Sequence, residues 1–159
     1  MITPNFRFAL RDDLDSNFLP TRGSSQATGW DVKAAWTNHE DYSIMPGEYV
    51  KIPLGFRVIA PYGWWLELRP RSSTFGKKHL HALYGVIDED YEGECLFACY
   101  LPKSEQPLAL PFGEAIGQII PVERVPMIVS SISNEEFDKL VAARGYNRGA
   151  GGFGSTDKK

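Results

Sequence analysis

Apolar and aromatic side chains recur in short runs along most of the chain, and turn-forming residues separate one run from the next. The runs are Trp30–Trp36, Glu48–Ala60, Trp64–Arg69, Leu80–Val86, Cys95–Leu101, Ala115–Val122 and Met127–Ile132. Proline and glycine lie between them, as in Met45–Gly47 and Pro111–Gly113. Runs of this kind, spaced about ten residues apart, predict an all-β fold, either a sandwich or a jelly roll.

One segment near the end of the chain has helical spacing instead. Ser133 or Asn134 can cap it, and Glu136 stands three residues after Ser133, as in a capping box. The apolar repeat that follows consists of Phe137, Leu140 and Val141, before Gly145. The pattern predicts a single short helix of two to three turns.

The composition changes abruptly after this helix. Residues 144–159 are rich in glycine and basic side chains and hold few large apolar ones, among them Phe153. Such a segment cannot bury enough apolar surface to fold alone. We therefore expect a jelly-roll domain over 1–143 and a flexible glycine-rich arm over 144–159 that becomes ordered on something anionic.

Size and overall charge exclude several classes of function. The chain has 159 residues and a formal net charge of -3, which suits one domain and argues against a nucleic-acid partner held by phosphate neutralisation. No apolar stretch is long enough for a membrane span, and no secretory signal is visible at the start. We expect a cytoplasmic protein.

Charge is unevenly distributed within the predicted domain. Residues 85–114 are strongly acidic, whereas residues 66–84 carry a basic excess. An acidic loop beside a basic one, followed by a basic glycine-rich arm, suits a polyphosphate with a divalent cation. Solvated strand edges and loops would give the same pattern, so charge alone leaves both interpretations open.

Cysteine and histidine give little support for a metal site. Cys95 and Cys99 fall in a predicted strand at a separation too large for an easy disulfide, so buried thiols are favoured over a redox or metal pair. His79 and His81 alternate along a predicted strand and could share a metal. Without a third ligand at a suggestive spacing, we interpret them as surface or interface histidines.

Five short segments carry most of the candidate chemistry. They are Gly29–Val32, Pro70–Ser73, Gly85–Glu94, Gly113–Ile119 and Arg148–Thr156. The glycines of the last segment let backbone amides approach a phosphate closely. In order and spacing the five segments resemble the motifs of the trimeric dUTPases, and they span residues 29 to 156.

The resemblance implies a jelly-roll subunit, a homotrimer with shared active sites, and hydrolysis of dUTP to dUMP and pyrophosphate with Mg²⁺. Such an enzyme limits uracil in DNA and supplies dUMP for thymidylate synthesis. Asp88 would activate the water that attacks the α-phosphorus, as a general base. Asp31 would hold magnesium indirectly, through water.

The resemblance also assigns the substrate contacts. Backbone groups near Val86, Ile87 and Leu96 would read uracil, with Ala82 beside the base, and Tyr91 would pack under the deoxyribose and exclude a 2′-hydroxyl. The folded domain would hold the phosphates through Arg71, Ser72, Ser73 and Gln118. The arm would close over them with Arg148, Gly152, Phe153, Gly154, Ser155 and Thr156, and Phe153 would stack on the base.

Three positions depart from the common motifs. Ser73 stands where a glycine is frequent, so the second motif is expected to follow a different path. Ala82 replaces a common asparagine and Ala115 a common arginine, which removes a contact to uracil and an ion pair respectively.

Two alternative functions remain open from the sequence. Arg71–Thr74 is similar to a stretch of the dCTP deaminases, which share the jelly roll but lack the Gly-Phe-Gly-Ser-Thr lid, so a deaminase-like or bifunctional member of that superfamily is one alternative. A regulatory binding protein, which contacts an unknown protein partner and is switched by nucleotide, is the other.

Overall fold

The computed structural model describes residues 3–145 and 149, and the chain forms two compact units, Met1–Val125 and Pro126–Lys159. The strands of the first unit are β1 Arg7–Leu10, β2 Trp30–Lys33, β3 Tyr42–Ile44, β4 Tyr49–Pro53, β5 Phe56–Ile59, β6 Trp64–Pro70, β7 His81–Ala82, β8 Gly85–Ile87, β9 Leu96–Tyr100, β10 Leu108–Leu110 and β11 Ala115–Glu123. A helix, α1, spans Ser72–Gly76, and a 3-10 turn covers Ser16–Phe18. The all-β prediction is confirmed for the described body.

Two larger antiparallel sheets organise the first unit. One has the order β2-β11-β6-β8, and the other has the order β4-β9-β7. The pairs β1-β5 and β10-β3 complete the described strands. The run predicted over Leu80–Val86 divides between the two larger sheets, because β7 pairs with β9 whereas β8 pairs with β6. The chain passes from one larger sheet to the other between β7 and β8, close to the third motif.

Alternating side chains of these strands form one apolar core. Its largest fully buried members include Phe56, Phe97, Ile52, Leu66 and Ile116. Burying each such side chain contributes about 1.5–3 kcal/mol. Phe97 of β9 packs directly against Gly117 of β11, where a Cβ would lie 2.8 Å from its ring.

Both cysteines belong to this core. Cys95 and Cys99 are free and buried, as predicted. Burial raises the pKa of each thiol to about 12. Neither is therefore a nucleophile or redox group at neutral pH.

The second unit contains the predicted helix, α2, over Asn134–Ala143. The Ser133 hydroxyl accepts a hydrogen bond from the Glu136 amide at 3.1 Å, which confirms the predicted cap. Lys139 pairs with Glu135 one turn earlier. Within the described residues, no helix has the length and apolar character needed to cross a bilayer.

Two local predictions are wrong. Residues 127–132 belong to no strand in spite of their apolar side chains, because a strand needs a partner and the described chain offers them none. The expectation of a single helix missed α1, whose five residues have no apolar periodicity. Hydrogen bonds to β11 hold α1 instead.

Candidate functional site

Three of the five motifs meet on the four-stranded sheet. Central strand β11 places Gln118 opposite Asp31 of β2 on one side and opposite Arg69 of β6 on the other. Because α1 follows β6 directly, Arg71 leaves the sheet at the same end. The first, second and fourth motifs therefore come together in one chain.

Arg71 is held by two of these motifs at once. Its Nε lies 3.0 Å from Asp31 Oδ1, and its Nη1 donates to the Ala115 carbonyl at 3.5 Å. The guanidinium remains about one-third exposed, with donors still open to solvent. A guanidinium that protein groups hold in place and that is still partly exposed suits the binding of an anionic phosphate.

Gln118 is fixed in a similar way. Its Nε2 donates to the Pro70 carbonyl at 3.0 Å, at the junction of β6 and α1. On the other side its amide group lies against Gly29, where any Cβ would overlap it. The first glycine of the first motif thus provides the space for the glutamine of the fourth.

The two serines of the second motif begin helix α1. Ser72 is exposed and Ser73 is half-buried. Position 73 is helical rather than left-handed, so serine is tolerated there in place of glycine. The expected difference in path from members of the family stays a prediction.

Residues 88–94 form an acidic loop between β8 and β9. Asp88 is exposed at its start, and the Tyr91 amide donates to the Asp88 carbonyl at 3.2 Å, which closes a turn. Strands β8 and β9 do not pair with each other and belong to different sheets. The loop therefore bridges the two larger sheets.

Two glutamates anchor the acidic loop at its ends. Glu89 Oε2 accepts from the Gly63 amide at 2.9 Å and lies 3.1 Å from Arg124 Nη2. Glu94 Oε1 accepts from the Gly55 amide at 3.0 Å and from Arg11 Nη1 at 3.2 Å. Side chains on an element fixed in this way hold their positions well. Sequence reasoning missed both anchors, because their partners lie far away in the chain.

The anchor at Glu94 is itself braced. Arg11 also donates to both carboxylate oxygens of Asp13, from Nε to Oδ1 at 2.6 Å and from Nη2 to Oδ2 at 2.9 Å. His39 Nε2 lies 2.6 Å from Asp13 as well. The hydrogen bonds from Arg11 and His39 lower the pKa of Asp13 well below its usual value. The carboxylate therefore stays ionised and keeps Arg11 in place.

Asp88 opens onto a cavity of about 430 Å³. The cavity is lined by Trp64, Trp65, Val86, Asp88, Glu89, Asp90 and Arg124.

Asp88 follows Ile87, which pairs with Leu66, so Asp88 lies beside the first residues of β6. Arg71 follows the last residue of that strand. At about 3.3 Å per residue the two positions are roughly 20 Å apart, which is more than a triphosphate group spans. Asp88 and Arg71 therefore lie beside opposite ends of β6.

The predicted base and sugar contacts differ in exposure. Val86, Leu96 and Tyr91 are exposed, whereas the Ile87 side chain is buried and leaves only its backbone for recognition. Ala82 is half-buried and pairs with Cys99. The hydroxyl of Tyr91 donates to the Glu94 carbonyl at 3.0 Å, which fixes the ring. Leu83 and Tyr84, which sequence reasoning did not select, are also exposed.

The remaining predicted residues divide into two groups. His79 and His81 are exposed, as expected for surface histidines, and His79 pairs with Glu105 at 2.8 Å. The predicted arm contacts lie outside the described residues. These are Arg148, Gly152, Phe153, Gly154, Ser155 and Thr156.

Comparisons with known sequences agree with the five motifs. The dUTPase family profile matches residues 16–157. The chain is 32% identical over 152 residues to deoxyuridine 5′-triphosphate nucleotidohydrolase of Rhizobium etli, covering 94% of this chain and 90% of that protein. It is 34% identical over 139 residues to the human mitochondrial protein of that name, covering 87% of this chain. The match spans 50% of the human protein's length.

Solved structures support the same fold. A dUTPase from Streptococcus mutans is 31% identical with a TM-score of 0.68, covering 77% of this chain and 98% of that one. A mutant dUTPase of Staphylococcus bacteriophage 80alpha, solved with dUpNHpp, has a TM-score of 0.74 at 22% identity, covering 97% and 99%. A mutant dUTPase of phage phi11 of S. aureus, which shows the coordination of a structural Mg(II) ion, has a TM-score of 0.68 at 20% identity, covering 82% of this chain and 97% of that one. The jelly-roll prediction is confirmed.

Proposed function

The chain belongs to the dUTPase family, and from that membership we propose how its residues hydrolyse dUTP to dUMP and pyrophosphate. The reaction makes the protein a hydrolase acting on a phosphoric anhydride. It limits uracil in DNA and supplies dUMP for thymidylate synthesis. The observation that carries the assignment of residues is the acidic loop, where anchored Glu89 holds its neighbour Asp88 at the mouth of a cavity.

Asp88 acts as the general base. Its carboxylate accepts a proton from water while the water oxygen bonds to the α-phosphorus. The bond from that phosphorus to the bridging oxygen of the β-phosphate breaks, and pyrophosphate leaves with the bridging oxygen. A carboxylate suits this task because its oxygens accept hydrogen bonds and protons from water.

Arg71, Ser72, Ser73 and Gln118 bind the phosphates. The support is the joint fixing of Arg71 and Gln118 by the first, second and fourth motifs. The arm residues Arg148, Gly152, Phe153, Gly154, Ser155 and Thr156 close over the substrate and exclude bulk water. The proposed division of the chain into a domain over 1–143 and an arm over 144–159 follows from this role of the arm.

The base and sugar are selected by shape. The support is the exposed apolar surface at Val86 and Leu96, on which a flat base can lie, and the fixed ring of Tyr91. Backbone groups near Ile87 read the uracil edge, Ala82 lies beside it, and Tyr91 excludes a 2′-hydroxyl. UTP is therefore a poor substrate.

Magnesium is the proposed cofactor, with Asp31 as its indirect partner. One oxygen of the Asp31 carboxylate already lies against Arg71, so the side chain suits hydrogen bonds to magnesium-bound waters better than direct ligation. Mg²⁺ usually keeps several waters and binds through phosphate oxygens. When bound, the ion would neutralise charge on the phosphates.

We propose a homotrimer with shared active sites. The support is the backbone separation of roughly 20 Å between Asp88 and Arg71 along β6, which sites built from different copies would explain. A second support is the exposed apolar run with Val125, Met127, Ile128 and Val129, each at least 80% exposed. Surface of this kind usually marks an interface.

The alternatives are less well supported. The matched family and its named relatives are dUTP nucleotidohydrolases, so a dCTP deaminase-like or bifunctional activity is not favoured. The regulatory binding module has no feature in its favour among the described residues. A cytoplasmic location remains the proposal, because two buried free thiols suit a reducing compartment.

The decisive experiment measures pyrophosphate release from dUTP, dCTP, dTTP and UTP by wild-type protein and by Asp88→Asn. We expect turnover of dUTP alone, and loss of turnover in the variant with retained binding of a non-hydrolysable dUTP analogue. Glu92→Gln, an exposed change on the same loop, is the matched control. Full turnover by Asp88→Asn would contradict the role of Asp88, and equal turnover of UTP would contradict that of Tyr91.

A second experiment tests the shared site. Asp88→Asn and Arg71→Gln subunits, each nearly inactive alone, are mixed under conditions that allow subunit exchange. Sites formed from one intact Asp88 and one intact Arg71 should then restore part of the activity. Activity that stays at the level of the separate variants, or an active monomer in light scattering, would contradict shared sites.

A further inference from the structure

Thr74 is a buried polar side chain with no assigned role. Only 1% of its surface is exposed, and it lies in α1, behind Arg71. Its hydroxyl donates to the Ile116 carbonyl of β11 at 2.6 Å. The same oxygen accepts from the Arg71 amide at 3.2 Å. One hydroxyl therefore joins the backbone of the second motif to the backbone of the fourth.

The other side-chain links between these two motifs, which include the part-buried Gln118–Pro70 hydrogen bond, lie nearer to solvent. Arg71 reaches the Ala115 carbonyl through a partly exposed guanidinium, and Lys78 forms an ion pair with Glu114 beyond the end of α1. Water competes with exposed polar links, whereas a buried hydrogen bond is strong and costly to leave unmade. Thr74 consequently defines how α1 sits on β11 more firmly than the surface contacts do.

The effect of Thr74 on Arg71 is direct. The Thr74 amide donates to the Arg71 carbonyl at 3.0 Å, while its hydroxyl accepts from the Arg71 amide. Both backbone groups of residue 71 are thus fixed by one neighbour. The guanidinium can then reach Asp31 and the Ala115 carbonyl from a defined starting point.

We propose that Thr74 is a positioning residue for dUTP binding, which sets the place of the Arg71 guanidinium through the buried link to Ile116. The inference rests on the proposed function, in which Arg71 binds phosphate. It goes beyond that function by assigning substrate affinity to a side chain that touches no substrate. It also gives a reason for a buried polar residue beside the apolar core of the described body.

The test separates the hydroxyl from the volume of the side chain. Thr74→Val keeps the shape and removes the hydroxyl, whereas Thr74→Ser keeps the hydroxyl and removes a methyl group. We expect Thr74→Val to raise the KM for dUTP at least tenfold and to change kcat less than threefold. Thr74→Ser should stay within threefold of wild type in both constants. Equal KM values for the two variants would overturn the proposal.

Two further measurements keep the result interpretable. Thr74→Cys, with a weaker donor and acceptor, should give a KM between those of the serine and valine variants even if Thr74→Val does not fold. A KM that follows volume instead would overturn the proposal. In an Arg71→Gln background, Thr74→Val should add little to the rise in KM, because both changes act through one group. Fully multiplicative effects would indicate a structural role only.

Arg71→Gln alone separates this inference from the proposed function. A raised KM in Arg71→Gln, together with equal KM values for the valine and serine variants, would overturn the role of Thr74 and leave that of Arg71 intact. An unchanged KM in Arg71→Gln would overturn the phosphate role of Arg71, and the positioning role of Thr74 with it.

Discussion

The side chain of Gln118 fills the space beside Gly29 that a side chain at position 29 would need. A Cβ on residue 29 would overlap the side-chain amide of Gln118. The two residues come from motifs almost ninety positions apart, yet β2 and β11 are neighbours in the sheet. Gln118 uses its amide to hold the Pro70 carbonyl, where β6 passes into α1. The absence of a side chain at position 29 therefore allows Gln118 to hold the junction of β6 and α1, where we propose that phosphate binds.

We predict that Gly29→Ala displaces Gln118 and weakens substrate binding. The methyl group would push the amide away from Pro70, and the KM for dUTP should rise about tenfold with a smaller change in kcat. Gly23→Ala is the matched control, because a Cβ there meets nothing within 4 Å. Steady-state kinetics of both variants would decide, and equal KM values would contradict the role given to this contact.

Asp31→Asn should affect activity more than stability. The Asp31–Arg71 pair is partly exposed, and such pairs contribute at most about 1 kcal/mol to folding. Loss of the charge should nevertheless loosen Arg71, raise the KM for dUTP and raise the magnesium concentration needed for half-maximal rate. Glu67→Gln, which weakens the Glu67–Arg69 pair on β6, serves as the control. A magnesium titration identical to wild type would argue against Asp31 as the indirect metal partner.

Glu89→Ala should lower kcat because it frees the start of the acidic loop. The variant loses the contacts to Gly63 and Arg124, so the Asp88 carboxylate samples positions away from the attacking water. We expect a fall in kcat of about tenfold, with KM changed much less. Glu92→Ala, exposed on the same loop, should leave both constants near wild type. Similar kinetics for the two variants would exclude a positioning role for Glu89.

The buried thiols predict a loss of stability at alkaline pH. Their pKa is about 12 in the fold, against an ordinary value of 9.0, so the unfolded chain loses these protons first. Stability should therefore decrease as pH rises from about 9 towards 12, by at most about 1.4 kcal/mol per thiol and pH unit. Urea unfolding between pH 9 and 10.5 would measure the slope, which should be shallower in Cys95→Ala/Cys99→Ala. Equal slopes would contradict the prediction.

Truncation before Arg148 tests the arm. The shortened chain should keep the unfolding temperature of the full protein within a few degrees, because residues 148–159 have little apolar surface to bury. Its rate with dUTP should fall at least a hundredfold, since the contacts that close the site are lost. An unchanged rate would remove the arm from the mechanism.

Local sequence patterns predicted those strands that are long and well paired. The runs over Trp64–Arg69 and Ala115–Val122 correspond to β6 and β11, where apolar side chains and a partner strand coincide. Strands β1, β3 and β10 have only three or four residues and depend on their partners, so no local pattern marks them.

The sequence motifs select candidate residues for the site, but they do not give its geometry. The motifs selected Asp31, Arg71 and Gln118, yet their proximity follows from the order β2-β11-β6, which sequence spacing does not contain. The anchors Glu89 and Glu94 look like ordinary surface charge until the fold brings Gly63 and Gly55 to them. Contacts between residues far apart in the sequence determine the geometry of the site, and local sequence patterns do not contain this information.

The placement of Asp88 and Arg71 beside opposite ends of β6 also bears on gene dosage. On the shared-site proposal no newly made subunit can turn over substrate until it has met other copies. At low abundance the dUTPase activity would then rise more steeply than the amount of protein. Once assembly is complete, the activity would rise in proportion to the amount of protein. A cell that dilutes this protein would lose protection against uracil before it had lost the polypeptide.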